Sequence, residues 1–464
     1  MPRRRFSRWI IGFALIAGCS AVGYAEDEAQ SNIVQLDHAV PHLSTLGVNA
    51  DELVTLFVRE LVREGGDQPR KAVLMVHGRN SPGVVVFDLK YRDYSWAMHL
   101  AKAGFDVFII ESQGSGRSPL PNRALAPMMD PCNVTLAQQE SLLRDHPPFV
   151  DPPCPASFGF VLLNSKNEWD EIDSVVDYII AKRGVQKVAL IGISRGSIIV
   201  GPYTVLHPEK VDSLFLQAPN LNPAALPGIG DDGLAPPVNA SGRTADLGTR
   251  YVPCTARQVR GLDGGCSGIL ADAPRPHRIL PPLNPGFPAA MALAPRQDLI
   301  DRWERDIGCD GQVEVGVQGH IWQATMENDE LGSKWGPPPA GAPEGSSPEG
   351  LMRNRSFFAW GWTPTLAVRL QVPTLIIFGD QDKEEGAPGL PLAVTSVRLY
   401  ETLRAHDRIA LLFKVACAGH LMFWERQRKV LHHLSKQWLK HGSVEGHSTG
   451  KFFVTNDGDL LPMD

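Results

Sequence analysis

Gly192-Ile193-Ser194-Arg195-Gly196 is the stretch of this sequence that decides the fold. An apolar run at residues 187–191 precedes it and another at residues 197–206 follows it, which predicts a buried strand that turns sharply into a helix. A serine on such a turn has a strained backbone, and its neighbours two positions away must be nearly free of side chain. Both neighbours are glycine, so the pattern predicts a nucleophile elbow with Ser194 at its tip.

A serine hydroxyl is a poor nucleophile unless a base takes its proton and an acid orients that base. Downstream, one apolar run is followed by Asp380 and Asp382, and the next is followed by a glycine turn and His420. We favour Asp382 as the acid, with Asp380 as its rival, and His420 as the base. The resulting order of serine, aspartate and histidine differs from the orders of chymotrypsin and subtilisin and fits a third hydrolase architecture.

The chain resembles the α/β-hydrolase family from about residue 50 to about residue 440. Residues 72–79 (AVLMVHGR) are similar to the family's strand and His-Gly turn. On that resemblance the backbone N–H groups of Arg79 and Arg195 form the oxyanion hole, while the histidine of the turn, His77, has a structural role.

A second segment is also similar to the family. Residues 105–118 look like its next strand and the Gly-x-Gly-x-Ser loop after it. Glu111 and Gln113 stand where Asp and Arg are more usual, a departure that concerns the support of the loop more than the chemistry.

The resemblance implies an α/β fold, with a mostly parallel sheet sandwiched by helices and a cap insertion. Helices expected at residues 94–103 and 168–181 alternate with the apolar strands. Five tryptophans in the cap are expected to form mostly its core, with one or two lining a pocket. The expected segments are a signal peptide (1–25), the first part of the core (26–219), the cap (220–371), the second part of the core (372–440) and a weakly packed C-terminal tail (441–464).

Composition excludes some classes of function. The chain has 464 residues, of which 43% are hydrophobic and 21% charged, with a formal net charge of -6. The sequence has no long basic run outside the amino terminus, so we do not expect it to bind nucleic acid. It contains neither an HExxH motif nor paired CxxC motifs, so we expect no metal, and serine chemistry needs no cofactor.

The amino terminus has the pattern of a signal peptide. Residues 3–8 are rich in arginine and residues 9–18 form an apolar stretch that is too short to span a bilayer. Residues 23–25 offer a small-x-small cleavage site, whereas the residues before Cys19 resemble a lipobox that would make this cysteine a lipid anchor. We expect export to the periplasm or the medium and favour simple secretion over lipidation.

Cysteine usage agrees with an oxidising compartment, because six cysteines remain when Cys19 is set aside. Proximity favours pairing Cys132 with Cys154 and Cys254 with Cys266. Cys309 and Cys417 would then be left to join the cap to the loop that carries His420. Alternatively, some of the six cysteines are free buried thiols.

These patterns predict an exported serine hydrolase that cleaves a carboxylic ester of a small or medium apolar molecule through an acyl-enzyme. The alternative hydrolase is an exopeptidase similar to proline iminopeptidase, which would need acidic cap residues such as Glu304, Asp306, Glu327 or Asp329 near the pocket. From other classes, a cofactor-free perhydrolase and a non-catalytic binding protein stay open. The sequence leaves the oligomeric state undetermined.

Overall fold

A computed structural model provides the structure of this protein. It describes residues 32–46, 49, 51–65, 70–79, 81–118, 127–156, 163–221, 290–358, 362–385 and 395–464. The signal peptide, Cys19, the Cys254 and Cys266 pair and Trp360 lie outside the described residues.

Fourteen strands are present in the described residues. They are β1 (Ile33–Leu43), β2 (Leu53–Arg63), β3 (Ala72–Val76), β4 (Asp106–Glu111), β5 (Leu163–Asn164), β6 (Val188–Ile193), β7 (Val211–Gln217), β8 (Met291–Ala294), β9 (Met352–Arg355), β10 (Phe357–Phe358), β11 (Thr374–Gly379), β12 (Ala410–Val415), β13 (Gly450–Val454) and β14 (Leu460–Pro462).

One sheet contains ten of these strands, in the order β1-β2-β4-β3-β6-β7-β11-β12-β13-β14. The strands from β4 to β13 in this order run parallel to one another, while β1, β2 and β14 pair antiparallel at the two edges. Every residue of β3, β4 and β6 is buried, as expected of parallel strands that are covered on both faces. The predicted fold class is therefore confirmed.

Helices cover both faces of the sheet. They are α1 (Gly83–Phe87), α2 (Trp96–Lys102), α3 (Leu136–Gln138, continuing as a π-helix over Gln139–Leu143), α4 (Ser165–Arg183), α5 (Arg195–Leu206), α6 (Arg296–Glu304), α7 (Val317–Glu327), α8 (Pro364–Ala367), α9 (Ser396–Arg404) and α10 (Arg428–His441). The helices expected at residues 94–103 and 168–181 correspond to α2 and α4.

Side chains alternate across each strand, so consecutive residues belong to two different cores. Val73 of β3 packs in the core that includes Trp96 of α2 and Trp438 of α10. Its neighbour Leu74 packs in the opposite core with Val176 of α4, and α5 and α9 contribute to the same layer. These two layers hold the carboxyl ends of the parallel strands at one edge of the sheet, where ligands bind in open α/β sheets.

The cap is packed on the core in its described part. Strands β8 and β9 pair antiparallel, and β10 pairs with β5 of the first core segment. The described cap tryptophans are all buried: Trp303, Trp322, Trp335 and Trp362. Trp303 also lies against Trp424 of the core, with ring centroids 6.0 Å apart. The described tryptophans are therefore packed in the interior rather than exposed at the surface.

The segment 441–464 differs from the expected weakly packed tail. Strand β13 extends the sheet parallel to β12, and β14 pairs back onto it. Phe452 and Val454 are buried while Phe453 between them is half-buried, which is the period-two pattern of a strand with one covered face. The segment therefore completes the sheet and packs on the core, although its apolar alternation is short and is flanked by polar residues.

Two disulfides lie within the described residues. Cys132 is bonded to Cys154, and Cys309 in the cap is bonded to Cys417, three residues before His420. In the same part of the chain, no helix has the length and apolar character needed to cross a bilayer.

Candidate active site

Ser194 lies on the turn between β6 and α5 with φ 50° and ψ −121°, a conformation that side-chain-bearing residues rarely adopt. Gly196 passes so close to β3 that a Cβ there would collide with the carbonyl oxygen of Val76. At Gly192 a Cβ would lie 2.7 Å from Cγ2 of Val200. Both glycines are therefore required by close backbone packing, and that packing holds Ser194 at the tip of the elbow.

The three residues expected to form a triad lie in one hydrogen-bonded chain. Nδ1 of His420 is 2.9 Å from Oδ2 of Asp382, and Nε2 of His420 is 2.9 Å from Oγ of Ser194. With a proton on Nδ1 donated to Asp382, Nε2 is free to accept the serine hydroxyl proton. Asp380, the rival acid, lies apart from this chain and accepts a 3.4 Å hydrogen bond from the N–H of Ala418.

Gln217, at the end of β7, connects the elbow to the histidine loop. Its carbonyl oxygen accepts hydrogen bonds from the N–H of Ser194 at 2.8 Å and from the hydroxyl of Ser197 at 3.0 Å. Its side-chain Nε2 donates to the carbonyl oxygen of His420 at 3.0 Å. One residue therefore fixes the relative position of nucleophile and base.

The cap also holds the histidine loop, through Asp306. Oδ2 of this buried aspartate accepts the N–H of His420 at 3.1 Å, and the Cys309–Cys417 disulfide fastens the same two segments. On the core side, Glu425 accepts the N–H of Gly419 at 2.8 Å. The sequence pattern suggested Asp306 only as a binder of a substrate amine, whereas the structure uses it to position the loop.

Glu384 is a second carboxylate beside His420 that the sequence pattern did not indicate. Its Oε2 lies 3.4 Å from Nε2 of His420, and its Oε1 accepts hydrogen bonds from Arg302 and Arg305 of the cap. Burial would raise the pKa of Glu384, but His420 and these two arginines outweigh it and lower the pKa to about 2. Glu384 is therefore ionised at neutral pH.

The environment of His420 favours its protonated form. Burial alone would lower the pKa of this imidazole, yet the carboxylates of Asp382 and then Glu384 outweigh burial and raise the pKa above 6.5. Because the base must be neutral to accept the proton of Ser194, activity would decline as pH falls through this raised pKa.

The proposed oxyanion donors lie next to Ser194. A Cβ on Gly78 would be 3.2 Å from Cβ of Ser194, so the turn that leads to Arg79 packs directly against the nucleophile. Arg195 is the first residue of α5, so its N–H lies at the helix N-terminus, where the helix dipole favours negative charge. These positions suit the oxyanion role expected for Arg79 and Arg195, which stays a prediction.

His77 precedes that turn and has a structural environment. Its Nδ1 lies 2.8 Å from the carbonyl oxygen of Gly78. Burial, together with the charges of Arg195 and Arg355, lowers the pKa of His77 to about 3, so the ring is neutral. Over the described residues, no group of three His, Cys, Asp or Glu side chains is placed to hold a metal ion.

Comparison with family models supports the fold. A family model described as alpha/beta hydrolase fold matches residues 71–237, the part that contains β3, β4, β6, β7 and the elbow. Together with the sheet order, this match shows that the chain has the α/β-hydrolase fold. No curated protein matches the sequence.

The solved structures that match the chain have low sequence identity to it and low TM-scores. A meta-cleavage product hydrolase from Pseudomonas fluorescens IP01 is 14% identical with a TM-score of 0.42, over 87% of this chain and 98% of that one. The 2-hydroxy-6-oxo-6-phenylhexa-2,4-dienoate hydrolase from Rhodococcus sp. strain RHA1 is 16% identical with a TM-score of 0.40, over 87% and 99%. A protein described as a putative lipase, from Acinetobacter baumannii AYE, is 13% identical with a TM-score of 0.37, over 88% of this chain and 91% of that one. At these values the likenesses carry no argument about substrate.

The two candidate acids make a matched pair for mutation. Asp382→Asn should lower kcat/KM for a short-chain nitrophenyl ester by roughly 10⁴-fold, because an amide can no longer hold His420 in the tautomer that accepts a proton at Nε2. Asp380→Asn should leave kcat/KM nearly unchanged, since an amide oxygen still accepts the N–H of Ala418. Equal losses in both variants would contradict the assignment of Asp382.

Glu384 should control the pH dependence of the reaction. In Glu384→Gln the negative charge next to His420 is lost while Arg302 keeps its charge, so the imidazole pKa falls and the acidic limb of kcat/KM moves to lower pH by about one unit or less. The measurement is a pH profile of kcat/KM. Glu330→Gln, a change at an exposed residue paired with Lys334, is the control. An unmoved acidic limb, or a move to higher pH, would show that Glu384 does not act on His420.

Proposed function

We propose that this protein is a serine hydrolase that cleaves carboxylic esters through an acyl-enzyme intermediate. The observation that carries the proposal is the continuous hydrogen-bonded chain from Asp382 through His420 to Ser194, with the serine on a strained elbow. In a buried setting such a chain serves proton transfer from the serine hydroxyl to the imidazole.

The residues supply each step of an acyl transfer. Oγ of Ser194 attacks the ester carbonyl carbon while its proton passes to Nε2 of His420, and the oxyanion that forms is stabilised by the N–H groups of Arg79 and Arg195. Collapse of this intermediate breaks the bond to the alcohol oxygen, which takes the proton from His420. A water molecule then repeats the sequence on the acyl-enzyme and releases the acid and free Ser194.

The positions of the acidic cap residues support an ester over a peptide with a free amino terminus. Asp306 is used by the N–H of His420, and Asp329 is paired with Arg353 at 2.6 Å. Glu304 and Glu327 are exposed at the surface. An exopeptidase would need an acidic group available to the substrate amine, whereas two of these residues are engaged by other groups of the protein and two are exposed.

The proposal is tested by labelling the folded protein with a fluorophosphonate probe, which modifies activated serines. The wild type should be labelled and should hydrolyse short-chain nitrophenyl esters, and Ser194→Ala should lose both activities. Ser448→Ala, a change at an exposed serine in the turn before β13, is the matched control and should retain both. A folded wild type that is not labelled would overturn the proposal and favour a non-catalytic binding protein.

The same assay separates the remaining alternatives. Amino-acid arylamides cleaved faster than esters would favour the exopeptidase. Peracid formed on addition of hydrogen peroxide, in preference to hydrolysis, would favour the perhydrolase, because peroxide would then replace water as the acceptor of the acyl group.

We also propose that the chain is exported and that residues 1–25 are removed. The disulfides at Cys132–Cys154 and Cys309–Cys417 support this proposal, since disulfides persist in oxidising compartments. Mass spectrometry of the full-length chain expressed in a bacterial host should find a mature protein that begins after Ala25 outside the cytoplasm. A chain beginning at an acylated Cys19 would indicate a lipid anchor instead, and an unprocessed cytoplasmic chain would refute export.

A further inference from the structure

A cleft lies beside the turn that carries Gly78 and Arg79. Gly78, Arg79 and Arg195 form its core wall, and Arg353 and Arg355 of β9 form its cap wall. Ser194 itself does not line the cleft, although its neighbours in space and in sequence do. The cleft is therefore placed to hold a part of the substrate that lies next to the reacting carbonyl.

The walls of this cleft carry mostly positive charge. Four arginines line it, Arg79, Arg195, Arg353 and Arg355, and the only acidic residue among the described lining residues is Asp329. His77 also lines the cleft and is neutral, as its lowered pKa requires. A cleft with this lining attracts anions.

The guanidinium groups are close enough to interact. Burial lowers the pKa of Arg195, and the charges of Arg355 and Arg79 lower it further. Burial also lowers the pKa of Arg355 to about 10, against the opposing effect of Glu171 and Glu111. Keeping several buried cations beside one another costs free energy that an ordinary apolar wall would not.

Carboxylates behind the walls compensate this charge only in part. Arg195 is ion-paired with Glu168, and Arg353 with Asp329. Burial raises the pKa of Glu171 and of Glu111 to about 7, so near neutral pH each is protonated for part of the time. These two carboxylates are the ones that act on the charge of Arg355, whose side chain also donates a hydrogen bond to the carbonyl oxygen of Gln113.

Building on the proposed serine hydrolase, we propose that this cleft binds an anionic group of the substrate, a carboxylate or a phosphate, so that the preferred esters carry a negative charge near the scissile bond. Guanidinium groups recognise both kinds of oxyanion through paired N–H donors. The proposal adds a charged group to the small or medium apolar molecule that the sequence led us to expect.

The test compares two esters of similar size, the nitrophenyl monoester of glutaric acid, which is anionic, and nitrophenyl pentanoate, which is neutral. In the wild type, kcat/KM should be about ten- to a hundredfold higher for the anionic ester, the gain expected of hydrogen bonds to a charged group. The assays are run at about 0.15 M NaCl so that attraction by distant surface charges is screened.

Arg355→Met and Arg79→Met should each reduce the ratio of the two kcat/KM values. Two positions are used because Arg355 is buried and its replacement can affect folding, whereas the side chain of Arg79 is only half-buried. Arg398→Met, at an exposed residue of α9, is the matched control and should keep the wild-type ratio. Fluorophosphonate labelling confirms in each variant that the Ser194 site is assembled.

Glutarate and inorganic phosphate, added as competitors of the neutral ester, distinguish the two kinds of anion. Stronger inhibition by glutarate would assign the cleft to carboxylates, and stronger inhibition by phosphate would assign it to phosphates. A labelled, active wild type that prefers the neutral ester and is inhibited by neither anion would overturn the anion-binding cleft and leave the hydrolase intact. An unlabelled wild type would instead refute the hydrolase itself.

Discussion

The contact between Gly196 and strand β3 is the constraint on which the site depends. The backbone of the elbow passes so close to the carbonyl oxygen of Val76 that a side chain at position 196 has no space. This contact lets α5 begin immediately after Ser194, with the N–H of Arg195 at the helix start, and it brings the Gly78 turn against the nucleophile. A single close approach of two backbones therefore fixes both the serine at the tip of the elbow and the turn that we predict to stabilise an oxyanion.

The position of His420 is also fixed, but by contacts from residues that are far apart in the sequence. The loop of His420 is fixed from below by Gln217, from the cap by Asp306 and from its own following turn by Glu425. The Cys309–Cys417 disulfide then ties the cap to this loop. Because a displacement of about 1 Å in a catalytic group can cost a large factor in rate, the cap serves the chemistry as well as covering it.

Local patterns account for what could be predicted from the sequence. The strands before Ser194, Asp382 and His420 are continuous apolar runs, and residues that follow parallel strands meet at one edge of a sheet. The roles of Asp306 and Arg355 could not be predicted this way. Their hydrogen-bond partners, His420 and Gln113, lie 114 and 242 residues away in the sequence, and only the folded cap brings them together. Strands β13 and β14 were missed for a different reason, because an alternation of only a few residues in a polar segment is a weak signal.

The charges around Ser194 are arranged in the direction of the proposed reaction. The arginines of the cleft lie on the side of the oxyanion turn, while Asp382 and Glu384 lie beside His420. In the proposed reaction, attack by the serine creates positive charge on the imidazole, which faces the carboxylates of Asp382 and Glu384, and negative charge on the carbonyl oxygen, next to the turn that the arginines flank. Such an arrangement stabilises the transition state without reorganisation, and the same arginines can hold an anionic substituent. Substrate selection and catalysis would then share one electrostatic field.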